Sequence, residues 1–252
     1  MLKFSVCIEM IFNTLSMEER IRMVARSGAR AFEFWGWQNK DLALIRKAAQ
    51  ANKLKVASFV GNPGVSLVDA SQKNALRKVV AESIEVAEKL HTRCLIVTTG
   101  QELPNVSRAR QHAAIVANLK AVAPICRDAG ITLALEPLNT TIDHKGYYLA
   151  SSKEAFQIID EVASPAVKVL YDVYHMQIME GDLIRTLTAN AAKIAHIHIG
   201  DNPGRNEPGT GEIYYPNVFS AIKKMRYTGF TGMEFRPTGN HFHAVEQTLA
   251  MA

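Results

Sequence analysis

Residues 131–137 read Ile131-Thr132-Leu133-Ala134-Leu135-Glu136-Pro137. A short apolar run stopped by proline, which cannot extend a central strand, predicts a buried β-strand ending on a carboxylate. Working outward, the same unit recurs on both sides. Toward the C-terminus the pattern predicts a helix over 152–161, a strand over 167–172, a helix over 180–190 and a strand over 193–199. A helix over 216–225 with Pro216 in its first turn, a strand over 230–235 and a short closing helix follow. Toward the N-terminus, strands are expected over 3–8, 30–35, 54–60 and 93–98. The helices between them are opened by the capping box Ser16-x-x-Glu19, by Asn39, by Ser71 and by Ser107; Gly28 closes the first and Gly130 the last.

Eight strand–helix units of about 30 residues, with no linker, predict a parallel sheet covered on both faces. Within 252 residues that pattern indicates an α/β fold of the (β/α)8 TIM-barrel type, forming a single domain over 1–252. The alternative, a doubly wound open sheet, usually carries a glycine-rich first turn for nucleotide phosphates. Here that turn is Glu9-Met10-Ile11-Phe12-Asn13, without glycine. The net charge of +5 comes from scattered rather than clustered basic residues. That distribution leaves no footprint for nucleic acid and is compatible with a small anionic substrate. Cys7, Cys94 and Cys126, widely spaced and outside any CxxC pattern, predict free thiols rather than a disulfide framework. No apolar run reaches the roughly 18 residues of a membrane span, and the N-terminus lacks a leader-like pattern. The expectation is a cytoplasmic protein acting on a small molecule, with no nucleic-acid or membrane partner and with homo-oligomerisation left open.

Active sites of such barrels lie at the C-terminal ends of the strands. Four consecutive predicted strands finish near Glu136, Asp172, His198 and Glu234, at spacings of 36, 26 and 36 residues. Singly, each has an ordinary reading: a glutamate paired with a nearby lysine, Asp172 as a helix cap, His198 as a hydrogen-bonded core residue. Together, three carboxylates converging on one barrel mouth would repel one another without a cation. One divalent metal is therefore expected. An oxygen-rich shell with one imidazole suits Mn²⁺ or Mg²⁺, and Co²⁺ is compatible. Such a site polarises adjacent carbonyl and hydroxyl oxygens and favours an enediolate; Glu136 and Glu234 are the candidate proton-transfer pair. His196 shares a strand face with His198, one layer deeper, and reads as either a core residue or a support for the site. In the loop that follows, Asp201, Arg205, Glu207 and Glu212 are expected to line the same wall. Trp35, Trp37 and Phe59 suit either an apolar rim or core and subunit packing.

The segments Glu136-Pro137-Leu138-Asn139, Tyr171-Asp172-Val173-Tyr174-His175-Met176-Gln177, His196-Ile197-His198-Ile199-Gly200-Asp201-Asn202-Pro203-Gly204-Arg205, Glu207-Pro208-Gly209-Thr210-Gly211-Glu212-Ile213 and Gly232-Met233-Glu234-Phe235 resemble the hydroxypyruvate isomerase family. That family belongs to the xylose isomerase-like barrels, with ketose 3-epimerases and endonuclease IV as relatives. The resemblance implies metal ligation by Glu136, Asp172, His198 and Glu234, acid–base work by Glu136 and Glu234, and substrate contacts from His175 and Arg205. It implies conversion of hydroxypyruvate to tartronate semialdehyde. Two departures stand out. Hydroxypyruvate isomerases often carry Gln at the position of His198, where ketose 3-epimerases carry His; yet the epimerases place a Glu where this chain has Ile142. A ketose 3-epimerase acting on tagatose, fructose or ribulose is thus the alternative, followed by a polyol dehydratase and an endonuclease IV-like phosphodiesterase.

Overall fold

The computed structural model describes residues 2–252. Strands β1 (Lys3–Cys7), β2 (Ala31–Glu33), β3 (Lys55–Val56), β4 (Phe59–Val60), β5 (Cys94–Val97), β6 (Thr132–Leu135), β7 (Val167–Asp172), β8 (Ile194–Ile199) and β9 (Phe230–Met233) form one parallel sheet. Its order is β3-β2-β1-β9-β8-β7-β6-β5-β4. The strand expected over 54–60 is broken at Ala57 and Ser58: β3 pairs with β2, while β4 pairs with β5. Residues 55–60 therefore join the two ends of the sheet and close a (β/α)8 TIM barrel. The strands read as apolar runs because parallel strands covered by helices are buried on both faces.

Nine helices are described: α1 (Met17–Arg26), α2 (Leu42–Ala51), α3 (Lys73–Leu90), α4 (Arg108–Asp128), α5 (Ser152–Val162), α6 (Val173–Met179), α7 (Leu183–Ala189), α8 (Tyr215–Lys224) and α9 (His241–Ala250). The Ser16–Glu19 capping box is formed as expected. Three boundaries differ from expectation, each for a capping reason. Asp41, not Asn39, caps α2 by accepting from the Leu44 N–H at 2.9 Å. Ser71 lies in a 3₁₀ turn capped by Asp69, so α3 begins only at Lys73. The helix expected over 180–190 is α7 alone, and an additional short helix, α6, precedes it. Asp172 opens α6 directly from its strand, and Gly181 and Asp182, both at positive φ, separate it from α7.

The main apolar core lies between sheet and helices. A smaller apolar cluster of Ile96, Ala134 and Leu170 shares the inward strand faces of Glu136 and Asp172, two residues further on. Phe59 is fully buried and stacks on Phe34 at 5.4 Å, and the Trp37 indole N–H donates to Ser83 Oγ. Both are therefore packing residues, which leaves Trp35 alone at the mouth. The three cysteines are free. Among the described residues no helix is long and apolar enough to cross a membrane.

Candidate active site

Glu136, Asp172, His198 and Glu234 converge as expected: one ligand atom from each lies within 4.8 Å of the others, and all four side chains are buried. His198 Nδ1 stands 3.2 Å from Glu234 Oε2, 3.4 Å from Glu136 Oε1 and 3.9 Å from Asp172 Oδ2. Glu136 Oε1 and His198 Nδ1 have no hydrogen-bond partner. Buried polar atoms left unpaired are costly and rare. Their shared aim, beside three carboxylates, fits a hard divalent cation with oxygen and nitrogen ligands.

Asp172 does both things that the sequence offers as alternatives. Its Oδ1 caps α6 by accepting from the His175 N–H at 3.0 Å, while Oδ2 faces His198 and Arg205. The two glutamates occupy opposite electrostatic environments. Burial pushes Glu136 up to about 7; contact with His198 lowers it only in part, and Glu234 and Asp172 add repulsion. Burial opposes ionisation of Glu234 too. There, however, the nearby His198 and Arg205 charges and the hydrogen bond from Trp35 win, and the carboxylate is held well below its ordinary range. The Trp35 indole N–H donates to Glu234 Oε1 at 2.9 Å, and Arg205 Nη2 donates to Oε2. For His198, burial favours the neutral ring, but the Glu234 and Glu33 carboxylates outweigh it and hold the imidazole well above its usual range.

His175 is fully buried beside these groups. Asn139 Oδ1 accepts from the N–H groups of Ile142 and Asp143 at 3.0 and 2.9 Å, which orients the amide. Its Nδ2 consequently faces Asp143 Oδ2 at 2.8 Å and His175 Nδ1 at 2.6 Å. Burial lowers His175 to about 4, so the ring is neutral. With Nδ1 accepting from Asn139, the proton sits on Nε2. That atom has no partner and lies 3.6 Å from Asp172 Oδ2, making it a donor aimed at the site. The loop at 140–148 thus acts by locking Asn139; Ile142 itself is exposed.

The acidic residues of the 201–213 loop correct the expectation that they line the site. Asp201 is fully buried and accepts four backbone N–H bonds, from Asn202, Gly209, Gly211 and Ile213. Glu207 accepts from Thr238 N–H and Oγ1, and Glu212 from Gln177 and Asn202. These carboxylates staple the loop rather than enter the site. What they deliver is Arg205, held at φ +55 with its guanidinium buried, 3.7 Å from Asp172 and 5.2 Å from the Tyr174 ring.

One site residue, Glu33, escaped the sequence reading, and another, Trp35, was read only as a rim candidate. Glu33 is buried inside the barrel, 2.9 Å from both His196 Nε2 and His198 Nε2. The only signal was one acid in the apolar run Ala31-Phe32-Glu33-Phe34-Trp35. His196 is accordingly a hydrogen-bonded interior residue. Trp35 was read as a rim candidate, but its bond to Glu234 places it in contact with the site.

A family model described as a xylose isomerase-like TIM barrel matches residues 21–251. The chain belongs to this family. Within it, hydroxypyruvate isomerase of Escherichia coli K12 is 33% identical, covering 94% of each chain. The 2-oxo-tetronate isomerase of Cupriavidus necator is 32% identical, covering 93% of each. A crystal structure described as AP endonuclease, family 2, from Brucella melitensis has a TM-score of 0.94 at 28% identity and covers 99% of both chains. D-psicose 3-epimerase from Clostridium cellulolyticum shares the fold, with a TM-score of 0.84 at 16% identity over 99% of this chain and 97% of that one. The curated relatives make the chain an isomerase.

Proposed function

We propose that this isomerase interconverts hydroxypyruvate and tartronate semialdehyde, with one divalent metal, Mn²⁺ or Mg²⁺, held by Glu136, Asp172, His198 and Glu234. The observation that carries the reading is the convergence of Glu136, Asp172, His198 and Glu234 on one buried cluster, where Glu136 Oε1 and His198 Nδ1 have no hydrogen-bond partner. When bound, the cation supplies Lewis-acid polarisation of the adjacent carbonyl and hydroxyl oxygens.

The chain's own groups do the rest. Arg205 meets the substrate carboxylate, a match suited to guanidinium geometry. The His175 Nε2–H donates to a substrate oxygen. Glu234 removes a proton from C3 of hydroxypyruvate, the hydroxyl proton passes to the C2 oxygen, and Glu136 delivers a proton to C2. Trp35 covers Glu234 and limits water at the proton-transfer pair.

One feature favours a second reading, ketose 3-epimerisation: the histidine at 198, where hydroxypyruvate isomerases often carry glutamine. Incubation with Mn²⁺ in D₂O, followed by NMR of the products, separates the two. Hydroxypyruvate is expected to give tartronate semialdehyde deuterated at C2, and 2-oxo-tetronate is tested beside it. Turnover of fructose, tagatose or ribulose to a 3-epimer, with hydroxypyruvate unchanged, would replace the first reading by the second. Cleavage of abasic DNA without deuterium exchange in any substrate would overturn both.

A further inference from the structure

Glu33 lies outside the set that would hold the metal, yet it touches that set from behind. Its Oε1 is 2.9 Å from His198 Nε2, on the opposite side of the ring from the Nδ1 that faces Glu136 and Glu234. Its Oε2 is occupied by three donors: His196 Nε2 at 2.9 Å, Ser5 Oγ at 2.9 Å and Ser58 Oγ at 3.2 Å. Three hydrogen bonds from β1, β8 and the break between β3 and β4 therefore fix Oε2, while Oε1 and His198 Nε2, which have no hydrogen-bond partner elsewhere, face each other at 2.9 Å. The approach also depends on Gly232 of β9. A Cβ there would fall 2.3 Å from Glu33 Oε1 and 2.7 Å from His198 Cδ2. Glycine at this strand position is the residue that admits the contact.

An imidazole presents a lone pair on one nitrogen only when its proton resides on the other, and a hydrogen-bond acceptor behind the ring decides which. We propose that Glu33 is a positioning residue that keeps the His198 proton on Nε2 and so commits Nδ1 to the metal. This rests on the metal reading given above. Three donors on Oε2 hold the carboxylate in place, and the number of ions bound tests whether Glu33, His196 and His198, which lie close enough to share one, form a second metal site.

The geometry also predicts what an isosteric change does. In Glu33→Gln the amide oxygen is drawn to the side where three donors wait, so the NH₂ group faces His198 Nε2. A donor there forces the His198 proton onto Nδ1, the atom the metal requires free.

The test uses the full chain, with Mn²⁺ binding read by electron paramagnetic resonance and ¹⁵N NMR of histidine-labelled, Mg²⁺-loaded protein. Wild type is expected to bind one Mn²⁺ and to show the His198 proton on Nε2. Glu33→Gln is expected to bind Mn²⁺ about 10–100-fold more weakly, the usual consequence of losing such a partner, and to move the proton to Nδ1. Equal Mn²⁺ affinity in the variant and wild type overturns the role of Glu33 while leaving the metal reading intact. Two Mn²⁺ per chain would make Glu33, His196 and His198 a second metal site and overturn it as well. No Mn²⁺ binding by wild type overturns both readings. Should Glu33→Gln fail to fold, the wild-type spectrum alone decides: a proton on Nδ1 with Mg²⁺ present refutes the proposal.

Discussion

Replacing Asp201 by alanine tests whether the 201–213 loop positions Arg205 for substrate. The carboxylate accepts N–H bonds from Asn202 and Ile213 at 2.9 and 3.1 Å, and from Gly209 and Gly211 at 2.8 and 3.0 Å. Hydrogen bonds to a charged group contribute roughly 1.5–3 kcal/mol each. Four at face value would exceed the cost usually seen for breaking a buried ionic network, about 3–5 kcal/mol. Two effects reduce the sum. The bonds from Asn202, Gly209 and Gly211 are only part-buried, so water can reach those donors once the side chain is gone. The loop can also open without unfolding the barrel. Only the Ile213 bond is fully buried. We therefore expect a stability loss of about 3 kcal/mol, near the lower end of that range. The functional effect is separate. A non-glycine residue at positive φ costs roughly 1–3 kcal/mol and persists only while its surroundings impose it. Without Asp201, Arg205 should relax from φ +55 and give up the bond proposed for it to the substrate carboxylate. At about 1.5–3 kcal/mol, that loss raises KM for hydroxypyruvate roughly 10–100-fold, with a smaller change in kcat. Urea unfolding followed by circular dichroism and steady-state kinetics measure the two effects. A variant within about 0.5 kcal/mol of wild type and with unchanged KM would show that the loop does not hold Arg205.

Glu136→Gln and Glu234→Gln should each lower solvent-deuterium exchange by about 10²–10⁴-fold. Glu234→Gln should also raise KM, because it disturbs the Arg205 and Trp35 contacts; near-normal exchange in either variant removes the two-glutamate mechanism. Mn²⁺ at about 100 times its Kd should stabilise the fold by about 2.7 kcal/mol. For a chain of this size that raises Tm by roughly 5–10 °C, and an unchanged Tm on adding metal or chelator speaks against the metal site. Glu154 packs on Arg108 at 2.6 Å and also bonds Tyr148 and His112. Burial opposes its ionisation, but those hydrogen bonds prevail and lower its pKa. Its contribution is therefore present above the unfolded value of about 4.3 and lost as pH falls through the folded value. Glu154→Gln should accordingly be less stable than wild type at neutral pH, with the gap closing below about pH 4; a gap that persists in acid contradicts the assignment.

The parts of the site legible in the sequence were those whose position along a strand carries the information. Glu136, Asp172, His198 and Glu234 mark the ends of apolar runs, and in a parallel barrel strand ends share one height. Residues whose role depends on a distant partner were not legible. Glu33 is separated from His196 by 163 positions. Asp201, Glu207 and Glu212 are acids in a loop rich in chemistry-bearing residues, and only their hydrogen bonds distinguish loop staples from ligands. Asp172 as cap and Asp172 as ligand were alternatives on paper because the sequence cannot show that a carboxylate gives one oxygen to each.

The order of strands and helices, the barrel and the four converging residues were determined by the sequence itself, through hydrophobic period, capping residues and strand-end chemistry, all of which are local. Tertiary structure alone decided which nitrogen of His198 faces the carboxylates, which oxygen of Glu33 is held by three donors, and how Arg205 comes to lie beside Glu234. Those outcomes depend on strand register, including the irregularity between Val169 and Leu170 where β7 meets β8, and on closure through the broken strand at 55–60. A shift of one residue in register turns every side chain to the opposite face, so contacts across the barrel exist only once the whole sheet has closed.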